Sequence, residues 1–179
     1  MRYKRMMKIF VATLLFVLSL SCSRGRKEEK DTPSHRHIPE ETLVRTNRYL
    51  VEKDEERIQR YTERHGWLMT RSGTGLWYQI YSHGTGPRVT EGKKVTITYT
   101  LRLLDGTLCY SSEEQGPKNF VAGHGSVESG LEQGILMMRK GDKARLILPP
   151  FLAYGVPGDR NKIPPRSVIV YELEVTEVK

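Results

Sequence analysis

The side chains that raise the clearest chemical question are Tyr154 and Ile163. They sit in the segment Phe151 to Val175, whose first half also carries Phe151, Leu152 and Val156 and is stiffened by Pro157, Pro164 and Pro165. A loop tip is normally polar and flexible, because its backbone faces water. A rigid aromatic loop is poorly explained as core and well explained as one wall of an apolar binding pocket. Other reactive residue types form no comparable pattern. His35 and His37 lack a nearby cysteine or carboxylate set, so neither a metal nor a cofactor is expected. Cys109 is either a reactive thiol or a small half-buried hydrophobe. With Cys22 engaged as described below, no intramolecular disulfide forms and the core must hold itself together.

The loop needs a scaffold. Ser167 to Val178 alternates as a half-buried strand, with Ile169, Tyr171, Leu173 and Val175 on one face and Glu172, Glu174 and Thr176 on the other. Val95, Ile97, Tyr99, Leu101 and Leu103 alternate with threonines and Arg102 in a second strand, and Asp105-Gly106 marks a hairpin turn after it. Leu76 to Tyr81, the short run Lys118 to Gly123 and the run Lys143 to Pro150 bring the set to about five strands. Between them Val127, Leu131, Ile135 and Met138 share one helical face, with Ser126 placed to cap the start and Gly141 the end. The expected fold is α+β, an antiparallel sheet wrapped around one short helix. The far end of that helix, the start of the sheet and the apolar loop then enclose a shallow apolar pocket.

Upstream, Pro39, Glu40 and Glu41 suit the first turn of another helix, which Gly66 can end. Its apolar stripe is thin: Leu43, Leu50, Ile58 and Tyr61, with Val44 and Val51 alongside. Such a helix either packs on the domain through a narrow seam or pairs with a second copy to make a homodimer.

The net charge of +8 is interspersed rather than blocked, and basic residues do not interleave with aromatics, which argues against a nucleic-acid partner. Half of it comes from Arg2, Lys4, Arg5 and Lys8, which precede the apolar run Ile9 to Leu20. That run has the length of a signal-peptide core and is short for a membrane span. Ser19, Ser21 and then Cys22 follow, a pattern that resembles a bacterial lipoprotein signal, cleaved before a cysteine that becomes lipidated. Ser19 stands where that signal prefers leucine, and an uncleaved anchor is the other reading. Both attach the chain to a membrane outside the cytoplasm. The expected organisation is a signal over residues 1–21, a charged tether over 22–37, a helix over 38–66 and a folded domain over 67–179.

From Gly75 to Lys179 the motifs occur in the order found in one family. "VTITYTLRLLDGT", "GSVESGLEQGILMMRKGDKARLILPP", "AYG" and "IPPRSVIVYELEV" together resemble the FKBP-type peptidyl-prolyl cis-trans isomerases. The preceding "RHGWLMTRSGTGLWYQI" is similar to lipoprotein members associated with gliding motility. The resemblance implies a hydrophobic cup that receives a substrate proline. It implies that Tyr154 donates a hydrogen bond to a substrate carbonyl and that Ile163 forms a wall. Tyr99 corresponds to a tyrosine lining the cup, Phe120 to a wall aromatic, Val127 to the apolar residue before the helix, and Tyr171 to a last-strand aromatic. Glu128 stands where a backbone N–H meets the ligand, and Leu131 stands at the floor. By periodicity alone Tyr99, Val127, Leu131 and Tyr171 are ordinary core.

The sequence departs from that family at the cup. Cys109-Tyr110-Ser111-Ser112 replaces a typical Phe-Asp-Ser-Ser, so a wall aromatic and the carboxylate facing the substrate are missing, and Tyr110 occupies the latter's place. Lys118 replaces an aromatic and Glu128 an apolar residue. The implied function is an envelope prolyl isomerase acting on proline-containing segments of exported proteins. The alternative is a non-catalytic module that uses the altered cup to hold a partner.

Overall fold

The computed structural model describes residues 39–179; the expected signal, Cys22, the tether and the His35/His37 pair lie outside the described residues. The first helix, α1, spans Glu40–His65, with Pro39 at its start and Glu40 and Glu41 at its positive end. Gly66 terminates it in the left-handed region, at φ 64°, where a side chain would be strained. The closing bonds, Gly66 N–H to Glu63 and Trp67 N–H to Thr62, make a Schellman ending.

The strands are β1 (Thr70–Arg71), β2 (Trp77–Ser82), β3 (Lys94–Leu103), β4 (Leu108–Ser111), β5 (Lys118–Val121), β6 (Lys143–Leu148) and β7 (Ile169–Val178). A four-residue helix, α2 (Ser112–Gln115), follows β4, and α3 (Ser129–Leu136) precedes β6. The sheet is antiparallel in the order β1-β2-β6-β7-β3-β4, with β5 pairing the start of β3 on the edge whose far end holds β4. It therefore has seven strands rather than about five. The two additions, β1 and β4, are two and four residues long, too short to show an alternation. β4 is the return arm of the Asp105-Gly106 hairpin.

The inward face of β3 buries Val95, Ile97, Tyr99 and Leu101, and that of β7 buries Ile169, Tyr171, Leu173 and Val175, as their alternation requires. Leu101 and Leu146 flank Tyr171 in register, so three inward side chains form a row across the sheet. α3 lies against this face and is shorter than its apolar pattern. It has eight residues and begins after Glu128, and neither Ser126 nor Gly141 caps it. It sits close because two of its residues lack side chains. A Cβ at Gly134 would come within 2.4 Å of Leu146, and one at Gly130 within 2.5 Å of Leu148.

The outward face carries a second, smaller core. Ile58 and Tyr61 of α1 pack with Ile147, Val168 and Val170, flanked by Trp67, Met69, Trp77 and Leu104. The narrow seam thus involves only the second half of α1. In the first half Leu43, Val44 and Tyr49 remain about half exposed.

Candidate active site

The loop between β6 and β7, here called the lid, starts with a 3-10 turn at Pro150–Leu152 that buries Leu152. The N–H groups of Ala153 and Gly155 both return to the Pro150 carbonyl, which fixes the backbone on either side of Tyr154. Further along, Ile163 is buried and its N–H donates to Asp159 Oδ1 at 2.8 Å. Both Tyr154 and Ile163 therefore face inward, whereas Phe151 and Val156 point to solvent.

Beneath the lid is a cavity of about 410 Å³ lined by Tyr99, Leu101, Tyr110, Gln115, Lys118, Tyr154, Asp159 and Asn161. Of the residues singled out in the sequence, the structure brings Tyr99, Tyr110 and Tyr154 together there. Leu131 and Tyr171 are fully buried beside it, Phe120 and Ile163 almost so, and Val127 packs against the same core. None of these last residues opens onto that cavity, and Phe120 instead lines a separate concavity with Val95, Asn119 and Val121. A larger concavity, about 640 Å³, adjoins it at Tyr99 and is lined by Thr98, Thr100, Arg102, Lys143, Glu172 and Glu174 among others. Size does not decide the site, because only the smaller cavity is bounded by lid residues, Tyr154, Asp159 and Asn161.

What fills the cup is polar. Glu128 precedes the first turn of α3 and turns its side chain inward rather than capping that helix. The carboxylate is 7% exposed, and Lys118 Nζ stands 3.7 Å away. Oε1 accepts from the Tyr154 hydroxyl and, at 3.2 Å, from the Tyr171 hydroxyl. Oε2 is buried with no partner among the described residues. Lys118 also donates to the Tyr171 hydroxyl at 3.4 Å and lies over the rings of Tyr99 and Tyr171, at 5.3 and 5.8 Å. Burial, then the hydrogen bond to Glu128 and its negative charge, hold the Tyr154 hydroxyl protonated far above the ordinary tyrosine range. Burial followed by the Glu128 charge raises Tyr171 and Tyr99 in the same way. All three hydroxyls are donors at any physiological pH. No backbone hydrogen bond among the described residues uses the Glu128 N–H.

The carboxylate missing from β4 has a counterpart in the lid. Asp159 accepts from the Tyr110 hydroxyl, and Asn161 Nδ2 reaches the same hydroxyl at 3.2 Å. Burial raises the Asp159 carboxyl, but the bonds from Tyr110 and from the N–H groups of Asn161 and Ile163 outweigh it and hold the group below the usual carboxylate range. The signal for this was present in "GDRN", since Asp folds a loop back on its own N–H groups. Nothing in the sequence indicated that Tyr110 would be its partner. Tyr110→Phe should therefore loosen the lid, and faster amide exchange at Asn161 and Ile163 would show it. Cys109 is fully buried, and its thiol is pushed up by that burial and then by the Asp159 and Asp105 charges. It is packing rather than a nucleophile.

The arrangement has hydrogen-bond donors and aromatic walls with Leu101 between them, but no activated nucleophile. Among the described residues no group of three or more His, Cys, Asp or Glu side chains could hold a metal ion. The family model for FKBP-type peptidyl-prolyl cis-trans isomerase matches residues 86–176. FK506-binding protein 2 of Yarrowia lipolytica is 41% identical over 105 residues, which span 58% of this chain and 73% of that protein. The macrophage infectivity potentiator of Trypanosoma cruzi is 35% identical over 150 residues, 77% of this chain and 76% of that one. The crystal structure of FkpA from Escherichia coli superposes with a TM-score of 0.63 at 28% identity, covering 77% of this chain and 64% of that chain. With the sheet, the helix and the lid in the order its motifs require, the chain belongs to the FKBP-type peptidyl-prolyl cis-trans isomerases.

Proposed function

We propose that this isomerase works at the bacterial cell envelope, held to a membrane by lipidated Cys22, on proline-containing segments of exported proteins. The observation that carries the catalytic part is the placement of Tyr154. A stiff lid holds its hydroxyl, kept protonated, at the edge of the cavity. Rotation about a prolyl bond must cross a barrier of about 18–20 kcal/mol set by amide resonance. No covalent bond is made or broken, so the protein need only bind the twisted amide more tightly than the planar one. The twisted amide is the less dipolar, and the ring faces of Tyr99, Tyr110 and Tyr154 with Leu101, backed by the buried core at Leu131, favour it. Tyr154 and the unused Glu128 N–H are the donors that hold the substrate carbonyl in register. Tyr99, Phe120, Val127, Ile163 and Tyr171 shape the cup, and Tyr110 with Asp159 closes its rim. Family membership supports this reading over a non-catalytic partner-binding module.

The anchoring part rests on the sequence of residues 1–22 alone. No helix among the described residues is long and apolar enough to cross a membrane. The half-exposed Leu43, Val44 and Tyr49 of α1 are the surface through which a second copy would pair. The test is Cys22→Ser in the full chain. Wild type should partition into the detergent phase and the variant into the aqueous phase, with both accelerating a proline-limited refolding reaction equally. Identical partitioning and migration of the two would reject the lipid anchor without touching the catalytic reading.

A further inference from the structure

We propose that α1 is a working part of the catalytic site: the Asp54–Arg166 ion pair positions the lid, and Arg166 is a positioning residue for Tyr154. The proposal rests on Tyr154 as the substrate-orienting group.

Asp54 lies on the half of α1 that packs against the sheet and is 5% exposed. Buried carboxylates need partners. Asp142, another buried carboxylate, takes the N–H groups of Gly84 and Arg139 and so pins a loop. Asp54 instead faces two guanidinium groups, with Arg166 Nη2 at 2.8 Å and Arg57 Nη1 at 3.6 Å. Arg57 is its neighbour on the same helix, whereas Arg166 comes from the end of the lid. Burial pushes the Asp54 carboxyl up against the pull of both arginines, so the helix holds this charge inside at a cost.

The lid is held at the same residue. Arg166 has φ 54°, a left-handed conformation unusual for a residue with a side chain. Its backbone N–H donates to the Gly155 carbonyl at 3.1 Å. Gly155 is the residue after Tyr154, so this bond ties the two ends of the lid together at the residue whose guanidinium is gripped by α1. Val168, two residues further on, is buried against Ile58 and Tyr61 of the same helix. A contiguous path thus runs from the side chain of Asp54 through Arg166 to the backbone that aims the Tyr154 hydroxyl. Such a path counts as coupling only if perturbing one end changes the other, so the test must read the far end.

Two variants isolate the ion pair. Asp54→Asn keeps shape and removes charge. Arg166→Gly keeps the left-handed backbone and the N–H to Gly155 while removing the guanidinium. Each is compared with wild type in the full chain, well below its melting temperature, by prolyl-peptide turnover and by amide exchange. Each should lower kcat/KM about three- to tenfold, as expected when a reacting group is misplaced from a distance. The Arg166 or Gly155 amide should exchange faster, and the double variant should be no worse than either single one. In a Tyr154→Phe background the loss should shrink. Should Tyr154→Phe alone leave kcat/KM unchanged, the role given to Tyr154 fails. The coupling is then still read from lid exchange and from the kcat/KM of the Asp54 and Arg166 variants. Unchanged kcat/KM and unchanged lid exchange in both variants would overturn the proposal. So would losses that add fully in the double variant, since that is how two unrelated structural lesions behave.

Discussion

Glu128→Leu should raise kcat/KM by about tenfold. In the free protein the Tyr154 hydroxyl donates to the Glu128 carboxylate, so a substrate carbonyl must displace a charged acceptor before it can be oriented. A hydrogen bond to a charged group contributes about 1.5–3 kcal/mol and one to a neutral carbonyl about 0.5–1.5 kcal/mol. The exchange therefore costs roughly 1–1.5 kcal/mol, and at 1.36 kcal/mol per tenfold its removal is worth about one order of magnitude. Leucine also restores apolar surface to a cup that needs to be dry. The effect on stability should be small, because two changes oppose each other. The variant loses the bonds from Tyr154 and Tyr171, and it also removes Oε2, a buried acceptor with no partner. Lys118, about a quarter exposed, can turn its ammonium to water. Peptide turnover of Glu128→Leu beside Glu128→Gln checks this, since the amide keeps an acceptor and should gain less. A fall in kcat/KM for Glu128→Leu would give the carboxylate the opposite role, that of aiming Tyr154 at the substrate.

That the sign of this result hangs on one side chain shows where the sequence was readable and where it was not. β3 and β7 could be read because alternation is a local consequence of one buried face, and Val95 to Leu101 and Ile169 to Val175 fall as that rule requires. Gly66 could be read as a helix end because the left-handed conformation is local too. The apolar pattern runs past both ends of α3 because Val127 and Met138 continue its apolar face while lying outside Ser129–Leu136. They reach the core from the flanking turns. The cup's identity came from motif order, which no single spacing contains. Its added polarity was legible in Lys118 and Glu128, but the pairing of those groups was not. A glutamate just before a helix is normally a solvated residue, and only the fold shows that Glu128 turns inward to meet Tyr154 and Tyr171, 26 and 43 residues away. The same holds for Tyr110 with Asp159, and for Asp54 with Arg166 across 112 residues. Local pattern finds the elements. Pairings between distant polar groups depend on how the elements dock, and no periodicity records that.

Leu131→Ala should be the most damaging single change to the domain, at about 2–5 kcal/mol of stability. Leu131 is fully buried, and its helix is pressed against the sheet by the absence of side chains at Gly130 and Gly134. A helix already at closest approach cannot move in to fill the space, which places the cost toward the upper part of that range. Tyr154→Phe gives the contrasting loss. Removing one hydrogen bond to the substrate should lower kcat/KM about 2- to 13-fold, the rate equivalent of roughly 0.5–1.5 kcal/mol. Its melting temperature should also fall, because Glu128 then lies buried without its main donor, a penalty of about 1–3 kcal/mol. The cost has a distinctive signature. In a Glu128→Leu background the carboxylate is gone, so Tyr154→Phe should leave the melting temperature nearly unchanged while still lowering kcat/KM. Leu131→Ala should destabilise both backgrounds alike, since no polar partner of Leu131 changes between them. Melting curves and peptide turnover on the four Tyr154/Glu128 combinations, with and without Leu131→Ala, decide it. If the Tyr154→Phe stability loss persists in full without Glu128, the hydroxyl is holding the lid by some other contact. If kcat/KM is insensitive to the hydroxyl in both backgrounds, orientation of the carbonyl falls to the Glu128 N–H, and the lid tyrosine serves as a wall.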